Sequence, residues 1–292
     1  MKKENFGERV FDAVNILILT LMMLITLYPL WHVVVSSLSS NTAVMKHTGL
    51  IFAPLEFTAN AYNAVFQNPM IIKGYMNTIF IVVAGCAVNI LLTSVGAYVL
   101  SRQGVMWTKL MTVLIVFTMY FGGGLIPFYF TVKDMGLDGT LWALIFPTAI
   151  STFNLMIMRT SFASVPPSLE ESARIDGASH LTVIFKIILP VSLPTVAVML
   201  LYYGVGHWNS WFNAMIFLRT KRELYPLQLI LREILLQNTM MDSSALAADS
   251  VHNISETIKY AIIVVATLPI LFIYPFLQKY FVKGALIGAV KE

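Results

Sequence analysis

Charge is scarce in this chain. Asp, Glu, Lys and Arg make up 12% of its 292 residues, where a soluble globular domain carries roughly 25%. Cysteine is nearly missing as well: Cys86 stands alone, which excludes a disulfide framework and a thiolate metal site. His32, His47, His180, His207 and His252 are scattered without metal-ligand spacing. No Gly-Lys dipeptide occurs, so the phosphate cradle G-x-x-x-x-G-K-[ST] is missing and any ATP that drives this protein belongs to a partner. What is abundant is apolar: 58% hydrophobic residues and a mean hydropathy of +0.76. That composition excludes disorder and an ordinary soluble enzyme, and it defines an integral membrane protein. The net charge of +4 is too small an excess to mark a nucleic-acid partner.

A helix needs about 20 mostly apolar residues to cross a bilayer. Six stretches without Asp, Glu, Lys or Arg meet that need: Ala13 to Met45, Gly74 to Ser101, Leu110 to Val132, Gly139 to Met158, Ile187 to Leu218 and Tyr260 to Gln278. Trimmed of polar ends, they predict spans near 16–36, 78–101, 110–131, 140–160, 187–206 and 260–280 within a single permease domain over 1–292. The first apolar run is too long for a signal peptide and lacks a small-residue cleavage site, so it reads as a retained anchor. With the N-terminus in the cytoplasm, the inner loops hold Lys2, Lys3, Arg9, Arg102, Lys109, Arg159, Arg174, Lys186, Lys279, Lys283 and Lys291, against Lys46, Lys73 and Lys133 in the first two outer loops. This asymmetry predicts that both termini are cytoplasmic. The long outer loop departs from the rule with Arg219, Lys221, Arg222 and Arg232. Two amphipathic helices are expected outside, one over Thr58 to Phe66 and one carrying Leu227, Ile230, Leu231, Ile234 and Leu235. Gly122-Gly123-Gly124 predicts a kinked end of the third span rather than a phosphate site.

The cytoplasmic loop 161–186 is too polar to span and too patterned for a bare linker. Pro166-Pro167 ends what precedes, Ser168 is placed to cap a new helix, and Glu171 completes a capping box. Glu170 and Arg174 form an i,i+4 pair, and Ala173 with Gly177 makes a small-residue patch for close approach. Chemistry alone fits an ordinary connection between helices as well as a docking helix.

The pattern Glu171-Ser172-Ala173, three residues, Gly177, nine residues, Ile187-x-Leu189-Pro190 resembles the EAA motif of bacterial ABC importer permeases, with Ser172 as its one departure. Phe121 to Pro127, Asn154 to Arg159, Arg174-Ile175-Asp176-Gly177-Ala178, Trp208-Asn209-Ser210-Trp211 and Lys283 to Lys291 extend the likeness nearly end to end. They are similar to the carbohydrate-uptake branch, the maltose-type second permease, and most of all to its subgroup for complex oligosaccharides such as those containing uronic acids. The resemblance implies an all-α, six-helix type I importer permease fold in the bacterial cytoplasmic membrane. It also implies three partners: a second homologous permease, a dimer of ATP-binding subunits that holds ATP and Mg, and an extracytoplasmic solute-binding protein. Glu171 would be the docking carboxylate toward the ATPase, with Glu170, Ala173, Arg174, Asp176 and Gly177 around it and Leu189 and Pro190 linking to the fifth span. The tail from Gly284 to Glu292 resembles an element that reaches toward the ATPase.

No catalytic residue, resident cofactor or metal is expected. Charge-free span interiors disfavour an ion-coupled carrier, which would place Asp, Glu or Arg at mid-depth. Aromatic faces and amides suit a neutral sugar, and Tyr120, Asn154, Tyr202, Tyr203, Trp208, Asn209 and Trp211 are the pathway candidates, each equally able to serve in packing or interfacial anchoring. Arg219, Lys221 and Arg222 could attract an acidic cargo or touch the binding protein. A permease of the same architecture for amino acids, peptides or phosphate remains the nearest competitor.

Overall fold

The computed structural model describes residues 6–102, 104–244 and 255–289. Lys2, Lys3, His252 and Lys291 lie outside the described residues, as does the end of the Gly284 to Glu292 tail. In chain order the α-helices are α1 (Phe6–Ser37), α2 (Asn41–Lys46), α3 (Asn60–Gln67), α4 (Pro69–Ser101), α5 (Thr108–Tyr120), α6 (Leu125–Asp134), α7 (Thr152–Ala163), α8 (Pro167–Ile175), α9 (His180–Val183), α10 (Leu189–Val191), α11 (Leu193–Trp208), α12 (Phe212–Phe217), α13 (Leu227–Ser244) and α14 (Ser255–Ala289). No strand occurs among the described residues.

Three helices are long and apolar enough to cross a membrane: α1, α4 and the Thr257–Pro275 stretch of α14. Three bent pairs raise the number to as many as six if each pair is one span. The expected spans 16–36 and 78–101 lie inside α1 and α4, and 260–280 lies inside α14. The other three fall on the bent pairs, and two of the bends have a cause in the sequence. α5 and α6 meet at 115° across Gly122 to Gly124, where Gly124 takes φ +83, a backbone state open to glycine and strained for other residues. The 3₁₀ turns of Leu141–Thr148 meet α7 at 51°. The segment His180–Val191 meets α11 at 90°, after a π turn at Ile184–Ile188. Pro190 and Pro194 there remove two N–H donors from the helical ladder.

The chain divides into two compact units, Met1–Pro69 with Glu233–Leu268 and Met70–Arg232 with Pro269–Glu292. In the first, the C-terminal end of α1 is pinned while its long apolar body stays open. Trp31 Nε1 donates to the Phe52 carbonyl at 2.9 Å, the Ile51 N–H donates to Tyr28 Oη at 3.1 Å, and Ser37 Oγ shares a 2.7 Å hydrogen bond with Tyr62 Oη. The His32 ring stands edge-on to Tyr260 at 5.7 Å.

In the second unit, a core of Ala97, Tyr98, Leu155, Met158, Phe162, Val183, Ile188 and Met199 joins α4, α7, α9 and α11. Where lipid tails are as apolar as the side chains, such helices associate through close packing and interhelical hydrogen bonds. Both are visible. A Cβ added to Gly85 would come within 2.5 Å of His207 Nε2, so only glycine admits that ring. Asn89, fully buried in α4, donates to the Thr148 and Ala149 carbonyls at 3.0 and 2.7 Å. Thr78 Oγ1 accepts the Leu227 N–H at 2.9 Å and anchors the start of α13.

Candidate functional site

Two neighbourhoods of the second unit carry the polar chemistry. The first is built around α8. Pro166 is its N-cap residue and Pro167 opens the helix, so the capping box expected from Ser168 and Glu171 does not form. The reason is that Pro167, with no N–H to satisfy and φ already helical, suits the first helical position better than Ser168 suits the cap. The Ser168 carbonyl instead accepts from Ser172 Oγ at 2.8 Å. At the other end, the Gly177 N–H donates to the Arg174 carbonyl at 3.0 Å and the Ala178 N–H to the Ala173 carbonyl at 2.9 Å. With Gly177 at φ +79, this is a Schellman ending, and Ser179 caps α9 directly after it through the Thr182 N–H at 3.3 Å.

The two adjacent glutamates have opposite fates. Glu170 is 8% exposed and faces the body of the unit. Its Oε1 accepts from Tyr98 Oη at 2.5 Å and from Arg174 Nη2 at 2.9 Å, while Oε2 sits 3.2 Å from Arg102 Nη1. Burial opposes the charge on Glu170, but the Tyr98 hydroxyl and the Arg102 and Arg174 guanidinium groups outweigh it and hold the carboxyl below its ordinary value. His180 completes the cluster, its Nδ1 lying 3.2 Å from Tyr98 Oη and 2.9 Å from Arg174 Nη2. Arg102 and Arg159 also hold carbonyls of facing helices, at Phe162 and Leu100. Glu171, by contrast, is exposed, as are Asp176 and Gly177, and Ile175 is 87% exposed beside them. Ala173, half-buried, packs on the unit's own core together with Leu189, and Pro190 is exposed. Tyr98, Arg102 and His180 were not singled out from the sequence, because nothing local marks a tyrosine at the end of an apolar run as the partner of a carboxylate 72 positions away.

The second neighbourhood is a cavity of about 400 Å³ between the start of α7 and the C-terminal half of α11. Of the pathway candidates, Asn154, Tyr202 and Tyr203 line it, joined by Ser151, Phe153, His207, Ser210 and Asn213. Tyr203 Oη bonds Thr93 Oγ1 at 2.7 Å and accepts the Ser151 N–H at 3.1 Å. His207 Nε2 bonds Asn89 Oδ1 at 2.7 Å. The other candidates lie elsewhere. Tyr120 is 74% exposed at the end of α5, Trp208 is buried against Tyr75 at 6.1 Å, Asn209 is exposed, and Trp211 stacks under the Arg232 guanidinium at 4.0 Å. Arg219 is held over Tyr129 by a hydrogen bond and a cation–π contact of 5.3 Å.

Apolar spans, a capped helix presented on a polar loop and a cavity lined by amides and aromatics together describe a membrane transport component. Residues 76–286 match the family of binding-protein-dependent transport system inner membrane components, and the chain belongs to that family. It is 41% identical over 286 residues to the polygalacturonan/rhamnogalacturonan transport system permease protein YtcP of Bacillus subtilis, covering 97% of this chain and 99% of that one. It is 42% identical over 286 residues to Protein LplC of the same organism, covering 97% and 95%. Among solved structures, it is similar to a chain of a bacterial ABC transporter involved in the import of the acidic polysaccharide alginate, with a TM-score of 0.86, 31% identity, and coverage of 96% of this chain and 100% of that one.

Proposed function

We propose that this chain forms half of the translocation pathway of an ATP-driven importer for oligosaccharides, uronic-acid-containing ones among them. The observation that carries the reading is α8. A nine-residue helix, opened by Pro167, closed by the Gly177 ending and strapped to the body through Glu170, presents Glu171 and Ile175 outward. A rigid, exposed element of this kind can pass the closure of a partner to the membrane helices, because force applied at Glu171 cannot dissipate in a soft linker. Its partner is an ATP-binding subunit dimer holding ATP and Mg, with a second homologous permease beside this one and an extracytoplasmic binding protein delivering the cargo. The alginate and polygalacturonan/rhamnogalacturonan importers among the relatives support an acidic oligosaccharide over amino acids or peptides. The lysine and arginine distribution supports cytoplasmic termini and a cytoplasmic α8.

Purification of the solubilised chain from its native membrane, with mass spectrometry of what accompanies it, is the first test. A homologous permease and an ATPase are expected, and reconstituted vesicles should take up galacturonate oligosaccharide only with ATP. Replacing Glu171→Lys should leave membrane insertion intact and lower uptake by about tenfold or more. A chain that purifies alone and transports without ATP, or normal uptake by Glu171→Lys, would contradict the proposal.

A further inference from the structure

The cavity beside α7 and α11 divides its polar side chains into two sets. Tyr203 and His207 are committed to Thr93, Ser151 and Asn89 and act as a wall. Among the described residues no hydrogen bond engages the side chains of Asn154, Tyr202, Ser210 or Asn213, although all four line the space. Asn154 is the decisive one. It is 4% exposed, and the first turn of α7 does not need its amide, because Ser151 Oγ already accepts the Asn154 N–H. Its carboxamide lines the cavity with its hydrogen-bonding capacity open to a ligand.

The remaining lining narrows the ligand. Phe153 and Tyr202 stand at the rim with ring centroids 6.2 Å apart, both substantially exposed, offering aromatic faces to an apolar ring surface. Among the described residues no Lys, Arg, Asp or Glu lines the cavity. A carboxylate placed here would lose its water and meet no cation, which is unfavourable. A hydroxyl-rich, uncharged ring meets free amides and hydroxyls along its edge and aromatic rings on its face. About 400 Å³ falls in the range of small-ligand pockets, roughly 300–1,000 Å³.

Resting on the importer reading above, we propose that this cavity is a subsite for an uncharged pyranose unit of the transported oligosaccharide, held by the Asn154 amide and the Phe153–Tyr202 rings. The carboxylates of an acidic cargo are then accommodated outside it. This permease therefore discriminates by the neutral sugars interleaved with uronates.

The test uses the assembled importer in proteoliposomes with its binding protein and ATP. Two probes are compared in the same preparation: a rhamnogalacturonan tetrasaccharide, in which neutral rhamnose alternates with galacturonate, and trigalacturonate, in which every unit is charged. In Asn154→Leu, the ratio of tetrasaccharide to trigalacturonate uptake should fall about tenfold relative to wild type, through a raised KM for the tetrasaccharide. Tyr202→Ala, at a half-exposed position, should shift the ratio in the same direction and serves if Asn154→Leu fails to insert. An unchanged or increased ratio in an inserted, assembled variant overturns the subsite. Absence of ATP-dependent uptake of both sugars by the wild-type complex is a different failure, since it removes the importer reading itself.

Discussion

At the scale of single residues, the division of labour between Glu170 and Glu171 decides what the loop carrying α8 can do. Glu171 is exposed, whereas Glu170 satisfies Tyr98, Arg102 and Arg174 at once. Glu170→Gln keeps the shape and removes the charge, and should cost about 1–3 kcal/mol of local stability. The pH dependence follows from the depressed carboxyl. A group titrating lower in the folded state than in the unfolded one contributes fully above the ordinary carboxylate range and loses its contribution as pH falls through the depressed value. A spin label at Ile175→Cys, with Cys86→Ala removing the native thiol, reads this directly. The label's mobility should stay constant from neutral to mildly acidic pH and rise only in stronger acid, while Glu170→Gln should show the higher mobility already at neutral pH, without an acid transition. Equal mobility in both proteins at neutral pH would rule out Glu170 as the strap. The pairing of Glu170 with Arg174 was legible from the i,i+4 spacing. Its bonds to Tyr98 and Arg102 were not, because they cross from one helix to another.

At the scale of elements, the loop and the spans differ in how much local sequence decides. α8 is closed by Gly177 in the left-handed region with open space around its Cα, so substitution there acts on the backbone alone. Gly177→Ala should therefore cost roughly 1–2 kcal/mol, without any steric clash. Hydrogen exchange of the Gly177 and Ala178 amides should accelerate accordingly while exchange in α7 stays at the wild-type rate. Uniform acceleration across both helices would show that the ending serves the whole unit and not α8. The start of α8 was misread by two residues because two candidate starters compete there and Pro167 wins. The kink at Gly122 to Gly124 was marked in the sequence and the break near Pro190 and Pro194 was not, and the angles of both, 115° and 90°, depend on what the two halves pack against.

At the scale of the whole molecule, apolar runs and flanking charges set the plan. Reporter fusions at each terminus, one active only in the cytoplasm and one only outside it, should place both ends in the cytoplasm, as the lysine and arginine asymmetry requires. A terminus reporting outside would invert the loop carrying α8 and remove its access to an ATPase. The family match over 76–286 agrees with the architecture the composition demanded.

By itself the sequence determined the solvent, the number of apolar stretches and the motif that presents Glu171, since these depend on hydropathy, charge placement and short-range spacing. Tertiary structure alone decided the fate of the scattered polar residues. Asn89, His207 and Asn154 are each one amide or imidazole in an apolar run, alike when read along the chain. Packing pairs the first two with each other and leaves the third facing a cavity. That choice depends on which helices lie side by side, a long-range property that no local pattern encodes.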